Sequence, residues 1–225
     1  MSTVDICSGL LECRRCERLH TFMHELKPRK GLDKSDYWSK PVPGFGPTDA
    51  RVWLVGLAPG AHGANRSGRP FTGDGAGDFM YPLLHQTGFC SAPADEISAD
   101  DGLELYDLYI SNAVKCLPPG NKPNAAEFAA CRSWLLQEWN MLSEVKVILA
   151  LGRGSFISLL HFFKEQGHVT RLADYPFVHG EAYKLGEAQW LLPCYHTSRY
   201  NVQTGRMTTQ MFVDVCTQIR TLLQA

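Results

Sequence analysis

Residues 52–58 read Val-Trp-Leu-Val-Gly-Leu-Ala, and residues 59–74 follow at once as Pro-Gly-Ala-His-Gly-Ala-Asn-Arg-Ser-Gly-Arg-Pro-Phe-Thr-Gly-Asp. The first part is short, apolar throughout and not alternating, which is the pattern of a strand buried on both faces. Three more runs share it: residues 108–114 (LYISNAV), 145–151 (VKVILAL) and 190–195 (WLLPCY). Helical patterns separate and follow them. Asn124 stands three residues before Glu127 as in a capping box, and Phe128, Cys131, Leu135, Trp139 and Leu142 then recur at helical spacing. Met207, Met211, Val215, Ile219 and Leu222 repeat that spacing near the C-terminus. Strands alternating with helices predict a three-layer α/β/α sandwich with a central four-stranded parallel sheet, here as one domain over residues 1–225. Ligands of such sheets sit beyond the carboxyl ends of the strands, so the residues after each run are the ones to weigh.

Composition narrows the class. The chain has 225 residues, 44% hydrophobic and 20% charged, which is globular and argues against global disorder. No apolar run is long enough to span a bilayer, and residues 1–16 lack a basic-then-apolar signal, so an intracellular protein with no membrane partner is expected. Lys and Arg total 22 against 23 acids, a net charge of −1. That excludes a uniformly basic nucleic-acid binder but not a locally basic one. Between Cys90 and Ser111 lie six acids (Asp95, Glu96, Asp100, Asp101, Glu104, Asp107) and no Lys or Arg. Elsewhere 22 basic residues face 17 acids, a balance of +5.

The loop after the first run carries five glycines in the 19 residues 56–74. Such density serves close approach of backbone to a ligand or positive φ; the alternative is a long connection without a ligand. The Gly-Lys-Ser/Thr of a P-loop is absent. Arg66, Arg69, exposed amides and the trailing Phe71 suit a phosphate backbone and a flat base. The last run leads into His196-Thr-Ser-Arg-Tyr-Asn-Val-Gln-Thr-Gly-Arg206. Directly beyond a strand, His196 is placed to polarise a carbonyl while Arg199 and Arg206 hold phosphates; a structural histidine is the alternative. Asn112 interrupts an apolar run. Its amide serves either a structural hydrogen bond or a base edge, where it matches an adjacent donor and acceptor.

Of eight cysteines, Cys13 and Cys16 form C-x2-C in an N-terminal arm, residues 1–40. Cys116 and Cys131 lie further on, and the four together can complete a site for zinc or for a [4Fe–4S] cluster; spacing does not choose between them. Cys131 also suits burial as a small hydrophobe, as do Cys7, Cys90, Cys194 and Cys216.

On these residues the chain resembles the uracil-DNA glycosylase superfamily, specifically its type-b (family 5) iron–sulfur branch. GLAPGAHGANRSGRPFTGD (residues 56–74) is similar to that branch's first motif nearly residue for residue. NVQTGR (residues 201–206) is similar to its second, and NAVKCLPP (residues 112–119) with the outer cysteines to the cluster framework shared with family 4. The resemblance implies a DNA N-glycosylase that flips out and excises uracil, and other deaminated bases such as hypoxanthine and xanthine, from double-stranded and single-stranded DNA; no lysine sits at a suggestive nucleophile position, so a monofunctional enzyme is expected. It implies a structural [4Fe–4S] cluster on Cys13, Cys16, Cys116 and Cys131, in an enzyme taken as a monomer.

Catalytic roles fall by resemblance to Asp74, His196 and Asn112. Phe71 takes the base-stacking position, with Gly60, Ala61, His62, Gly63 and Asn201 also against the substrate. Arg66, Arg69, Ser198, Arg199, Tyr200 and Arg206 face DNA, and Tyr200 stands where a wedge fills the gap left by the flipped base. Two departures stand out. The second motif begins His196-Thr197 where many relatives have His-Pro, and Arg199-Tyr200 replace a Pro–Leu pair. Leu57 and Ala58 leave the first turn without a carboxylate, so Asp74 is the nearest candidate to orient water. The alternative is a non-catalytic nucleic-acid binder with the same fold and a structural metal site. The acidic stretch is expected to lie away from both motif loops.

Overall fold

A computed structural model describes residues 9–93 and 101–224; Cys7, Asp95, Glu96 and Asp100 fall outside them. The four apolar runs become β1 (Val52–Gly56), β2 (Leu108–Asn112), β3 (Val147–Leu151) and β5 (Gln189–Cys194). A fifth strand, β4 (Tyr183–Leu185), precedes the last of them. The sheet order is β2-β1-β3-β5-β4. The first four strands are parallel, and β4 pairs antiparallel with β5. The expected four-stranded parallel sheet is therefore present, extended by one short edge strand. Tyr183-Lys184-Leu185 alternates in burial and is too short to announce itself as an apolar run.

Every residue of β1, β2 and β3 is buried, and their alternate side chains enter two different cores. On one face Leu54, Ile110, Leu149 and Leu192 pack with Met80 and Leu84 of α3 (Gly75–Gln86) and with Phe212, Val215 and Ile219 of the C-terminal helix (Thr209–Leu222). On the other, Trp53, Val55, Tyr109, Ile148 and Leu191 meet Leu135 of α4 (Ala125–Met141). Phe156, Leu159, Phe162 and Phe163 of α5 (Arg153–Glu165) complete that layer. Burial of each such side chain contributes about 1.5–3 kcal/mol, which sets both the layering and the strand register. The capping box expected at α4 is formed: the Asn124 side chain accepts from Glu127 N at 2.9 Å, and Glu127 accepts from Asn124 N at 2.7 Å.

The N-terminal arm contributes α1 (Glu17–Glu25), which buries Leu19 and Met23. Arg18 ties it to α4 through both oxygens of Glu127 at 2.7 Å. The Pro-rich segment after the arm lies along β2, where Phe45 and Ile110 exchange two backbone hydrogen bonds of 2.8 Å. Cys90, Cys194 and Cys216 are buried among apolar neighbours, as expected of small hydrophobes. Among the described residues no helix is long and apolar enough to cross a membrane.

Because four strands run parallel, their carboxyl ends share one edge. The glycine-rich loop after β1, Asn112 at the end of β2, Gly152 after β3 and His196 after β5 all emerge there.

Candidate active site

An open cleft of about 400 Å3 occupies that edge, lined by residues that include Leu57, Phe71, Asp74, Asn112, His196 and Arg199. Local backbone features explain the convergence. Gly56, the last residue of β1, has no side chain; a Cβ there would stand 2.5 Å from Phe71 Cζ and closer still to Asn112 Oδ1. The Phe71 ring and the Asn112 amide thus meet over a gap that only glycine leaves. Phe71 adopts φ +54°, in the left-handed region that a Cβ-bearing residue occupies only under constraint. The ring centroids of Phe71 and His196 lie 6.2 Å apart with planes at 44°, so the two rings flank one space without closing it.

His196 is held by its own loop. Asn201, on α6 (Arg199–Gln203), donates from Nδ2 to the His196 carbonyl at 2.8 Å. Ser198 caps that helix, accepting from Asn201 N at 3.4 Å. His196 Nδ1 is buried and has no hydrogen-bond partner among the described residues. Burial lowers the imidazole's pKa below the ordinary value, and the nearby Asp74 works in the opposite direction. The ring is therefore neutral at pH 7.

Asp74 has two duties. Its Oδ1 caps α3, accepting from Ala76 N at 3.0 Å and Gly77 N at 3.1 Å. Its Oδ2 lies beside Gly60 and Gly63, where any added Cβ would crowd it. Two of the five motif glycines thus make room for the carboxylate.

Several sequence-predicted residues occupy other places. His62 turns from the cleft toward the arm, its Nδ1 2.8 Å from the Tyr37 hydroxyl. Ala61 and Gly63 are not among the residues that line the cleft, and Asn201 acts on the His196 backbone. Arg69, expected on DNA, is buried at 4% exposure and forks onto Asp101 at 2.7 and 2.6 Å. An arginine so paired and covered does not reach a phosphate. The same contact brings one residue of the acidic stretch to the first motif loop rather than away from it. Arg66 stays near the surface and donates from Nε to His62 O at 3.2 Å. Arg199 lines the cleft, Tyr200 is 72% exposed beside it, and Arg206 lies over the Tyr195 ring. The reading of the sequence missed Leu57, Ala64, Gly75, Ala76 and Asn121 on the cleft wall. Asn121 carried a usable signal, since it sits in the loop outside the carboxyl end of β2.

The four candidate ligand cysteines come together elsewhere. Cys13, Cys16, Cys116 and Cys131 line one pocket with Leu10, Lys115 and Trp134, and none of the four is in a disulfide. Burial pushes the Cys131 thiol up to about 11 and Cys116 higher still, and the other thiols of the group add to both shifts. Burial likewise raises Cys16, with Glu127 and Cys13 contributing. Thiols that oppose one another's ionisation are a soft donor set, and a thiophilic metal centre would relieve that opposition. Among the described residues no three His, Cys, Asp or Glu side chains are gathered around a single metal ion.

A family model described as the uracil DNA glycosylase superfamily matches residues 43–220, a span that holds the whole cleft. The chain belongs to the uracil DNA glycosylase superfamily. Within the superfamily it is 47% identical over 214 residues to a type-5 uracil-DNA glycosylase of Thermus thermophilus, covering 95% of this chain and 94% of that one. It is 41% identical over 206 residues to a type-5 enzyme of Mycobacterium leprae, covering 90% and 88%. A type-4 uracil-DNA glycosylase of Pyrobaculum aerophilum is 33% identical over 166 residues, 72% of each chain. The type-5 relatives are thus matched along nearly the full length. The expected family and fold class are both borne out.

Proposed function

We propose that this DNA glycosylase removes uracil from DNA by hydrolysing the N-glycosidic bond of a flipped-out nucleotide, and that hypoxanthine and xanthine are also substrates. The observation that carries the reading is the meeting of Phe71, Asn112 and the half-buried His196 in one cleft, with Asp74 on its wall. A base inside a duplex is out of reach, so it must leave the stack, at a few kcal/mol and less for a mismatch. Phe71 would stack on the extruded base, contributing about 1–3 kcal/mol. Asn112, with one donor and one acceptor, would read its edge.

As the bond breaks, the sugar gains cationic character and the departing base gains negative charge. A neutral imidazole donating at the pyrimidine O2 would stabilise that anion, a class of contact that contributes about 2.7–4 kcal/mol elsewhere. Asp74 would orient water or stabilise the sugar cation. Arg66, Ser198, Arg199 and Arg206 would hold the backbone, and the exposed Tyr200 would fill the vacated stack.

Cys13, Cys16, Cys116 and Cys131 would hold a [4Fe–4S] cluster in a structural role. The lining of one pocket by all four cysteines supports a shared thiolate-held centre. Iron and acid-labile sulfide analysis with a visible absorption spectrum checks this. We take the enzyme to act as an intracellular monomer, on double-stranded and single-stranded DNA. The deciding assay is single-turnover excision from defined duplexes carrying U, hypoxanthine or xanthine. An alkali-labile abasic site at U is expected; intact U-containing DNA at stoichiometric enzyme would sink the proposal. Strand nicking without alkali would overturn the monofunctional reading.

A further inference from the structure

We propose that Asp101, outside both motif loops, is a positioning residue for base excision: through Arg69 it holds Phe71 in the backbone conformation that aims its ring into the cleft. This rests on the reading of Phe71 as the residue that stacks on the flipped base. Phe71 at φ +54° needs a frame that over-determines it, and each neighbour is tied. On one side, the Pro70 carbonyl accepts from the Tyr81 hydroxyl at 2.9 Å. On the other, Arg69 Nε donates to Thr72 Oγ1 at 2.8 Å, and Ser67 Oγ donates to the Thr72 carbonyl at 3.0 Å. From below, Gly77 lies so close to the Phe71 carbonyl that a Cβ has no room.

Arg69 spans this frame, and Asp101 fixes Arg69. The carboxylate takes both terminal guanidinium nitrogens at 2.7 and 2.6 Å and is itself held by Leu103 N at 2.9 Å. The guanidinium is sandwiched near the Phe45 and Tyr81 rings, at 5.1 and 5.9 Å from their centroids. Side-chain exposures of 4% and 9% leave the pair little water to exchange with. A buried two-point contact of this kind fixes direction as well as charge, which a lysine would not reproduce. With Asp101 neutral, the buried guanidinium would lose this two-point charge contact and shift, loosening its hold on Thr72 and the Phe71 turn.

The test uses the full-length holoenzyme and four variants: Asp101→Asn, Phe71→Leu, the combination of these two, and the apolar exchange Arg69→Met with Asp101→Leu. Asp101→Asn is expected to slow single-turnover uracil excision about 10- to 100-fold with little change in KM, since misplacement of about 1 Å costs that much. The apolar exchange is expected to restore the melting temperature, as replaced buried ion pairs often do, but not the rate. Recovery of rate together with melting temperature would overturn the proposal, because a purely structural pair would behave that way. The Phe71→Leu/Asp101→Asn combination is expected to be no slower than Phe71→Leu alone, since both act through one ring; additive losses would overturn the proposal. An unchanged rate in Phe71→Leu would instead remove the stacking role itself. A slowed Phe71→Leu beside a full-rate Asp101→Asn would remove only the role of Asp101.

Discussion

Gly56 is the residue on which the cleft turns, because Phe71 and Asn112 both occupy the space its side chain would take. Gly56→Ala is expected to cost about 1–3 kcal/mol of stability by overpacking. The same methyl should slow excision by about 100-fold through displacement of two cleft-lining groups. Paired melting and single-turnover measurements separate the two effects; a stability loss with full rate would mean that neither group touches the base. His196 makes a prediction in pH. Burial depresses its pKa, which favours the uncharged ring at neutral pH. The excision rate should be level near pH 7 and fall on acidification below the ordinary His value of about 6.5. The sign for stability is the same. The unfolded chain takes the proton first, so His196 destabilises the fold as pH drops below about 6.5, and the loss is complete at its lower folded pKa. A rate that rose as the ring protonated would assign the charged form as the donor. In His196→Gln both the rate step and its share of the stability step should vanish.

At the scale of elements, Asp74 shows how a helix cap and a chemical group share one side chain. Asn caps a helix as well as Asp does, so Asp74→Asn should keep α3 and leave stability within about 0.5 kcal/mol. It should still slow excision by about 100-fold if the carboxylate faces the reacting sugar or water. Near-full excision in this variant would reduce Asp74 to a cap. The same mixture of roles decides what was legible in the sequence. The four parallel strands and the cap of α4 follow from patterns that local physics writes directly: apolar runs, Gly at strand ends, and Asn with Glu at fixed spacing. Asn112 and His196 were legible because each interrupts or ends an apolar run at the sheet's carboxyl edge. Arg69 and His62 were not, because charge or polarity in a glycine-rich loop reads as exposure. Their partners, Asp101 and Tyr37, are 32 and 25 positions away. Asn201 was legible as a motif residue but not as the support of the His196 carbonyl, since a backbone acceptor leaves no trace in composition. The edge strand β4 escaped for want of length.

For the whole molecule, the net charge of −1 matters less than where charge can reach DNA. Arg199 lines the cleft while Arg69 is shut inside with Asp101. Arg199→Ala should therefore weaken binding to all sequences alike and reduce the salt slope by about 1, whereas changes at Arg69 should leave that slope alone. The arm links the cysteine pocket to the first motif loop. It carries Cys13 and Cys16, and it also braces the first motif loop. Tyr37 meets His62 at 2.8 Å, Trp38 N donates to Arg66 O at 2.9 Å, and Ser39 N donates to Asn65 O at 3.1 Å. The Trp38 ring fills the place of a Cβ at Gly68. α1 has a second hold on the core through Arg18 and Glu127, and the sheet has cores of its own that do not include Cys13, Cys16, Cys116 or Cys131. Removing the proposed cluster, by chelation or by Cys13→Ser with Cys16→Ser, should therefore leave the sheet folded by circular dichroism while opening the arm to limited proteolysis. Excision should fall by about 10-fold or more, because the loop that carries Phe71 and Asp74 loses a brace and small displacements there are costly. The decisive combination is an arm that is cut readily in an enzyme that still excises at full rate. That result would make the cluster a clip for the arm alone, and Tyr37→Phe would then also be silent.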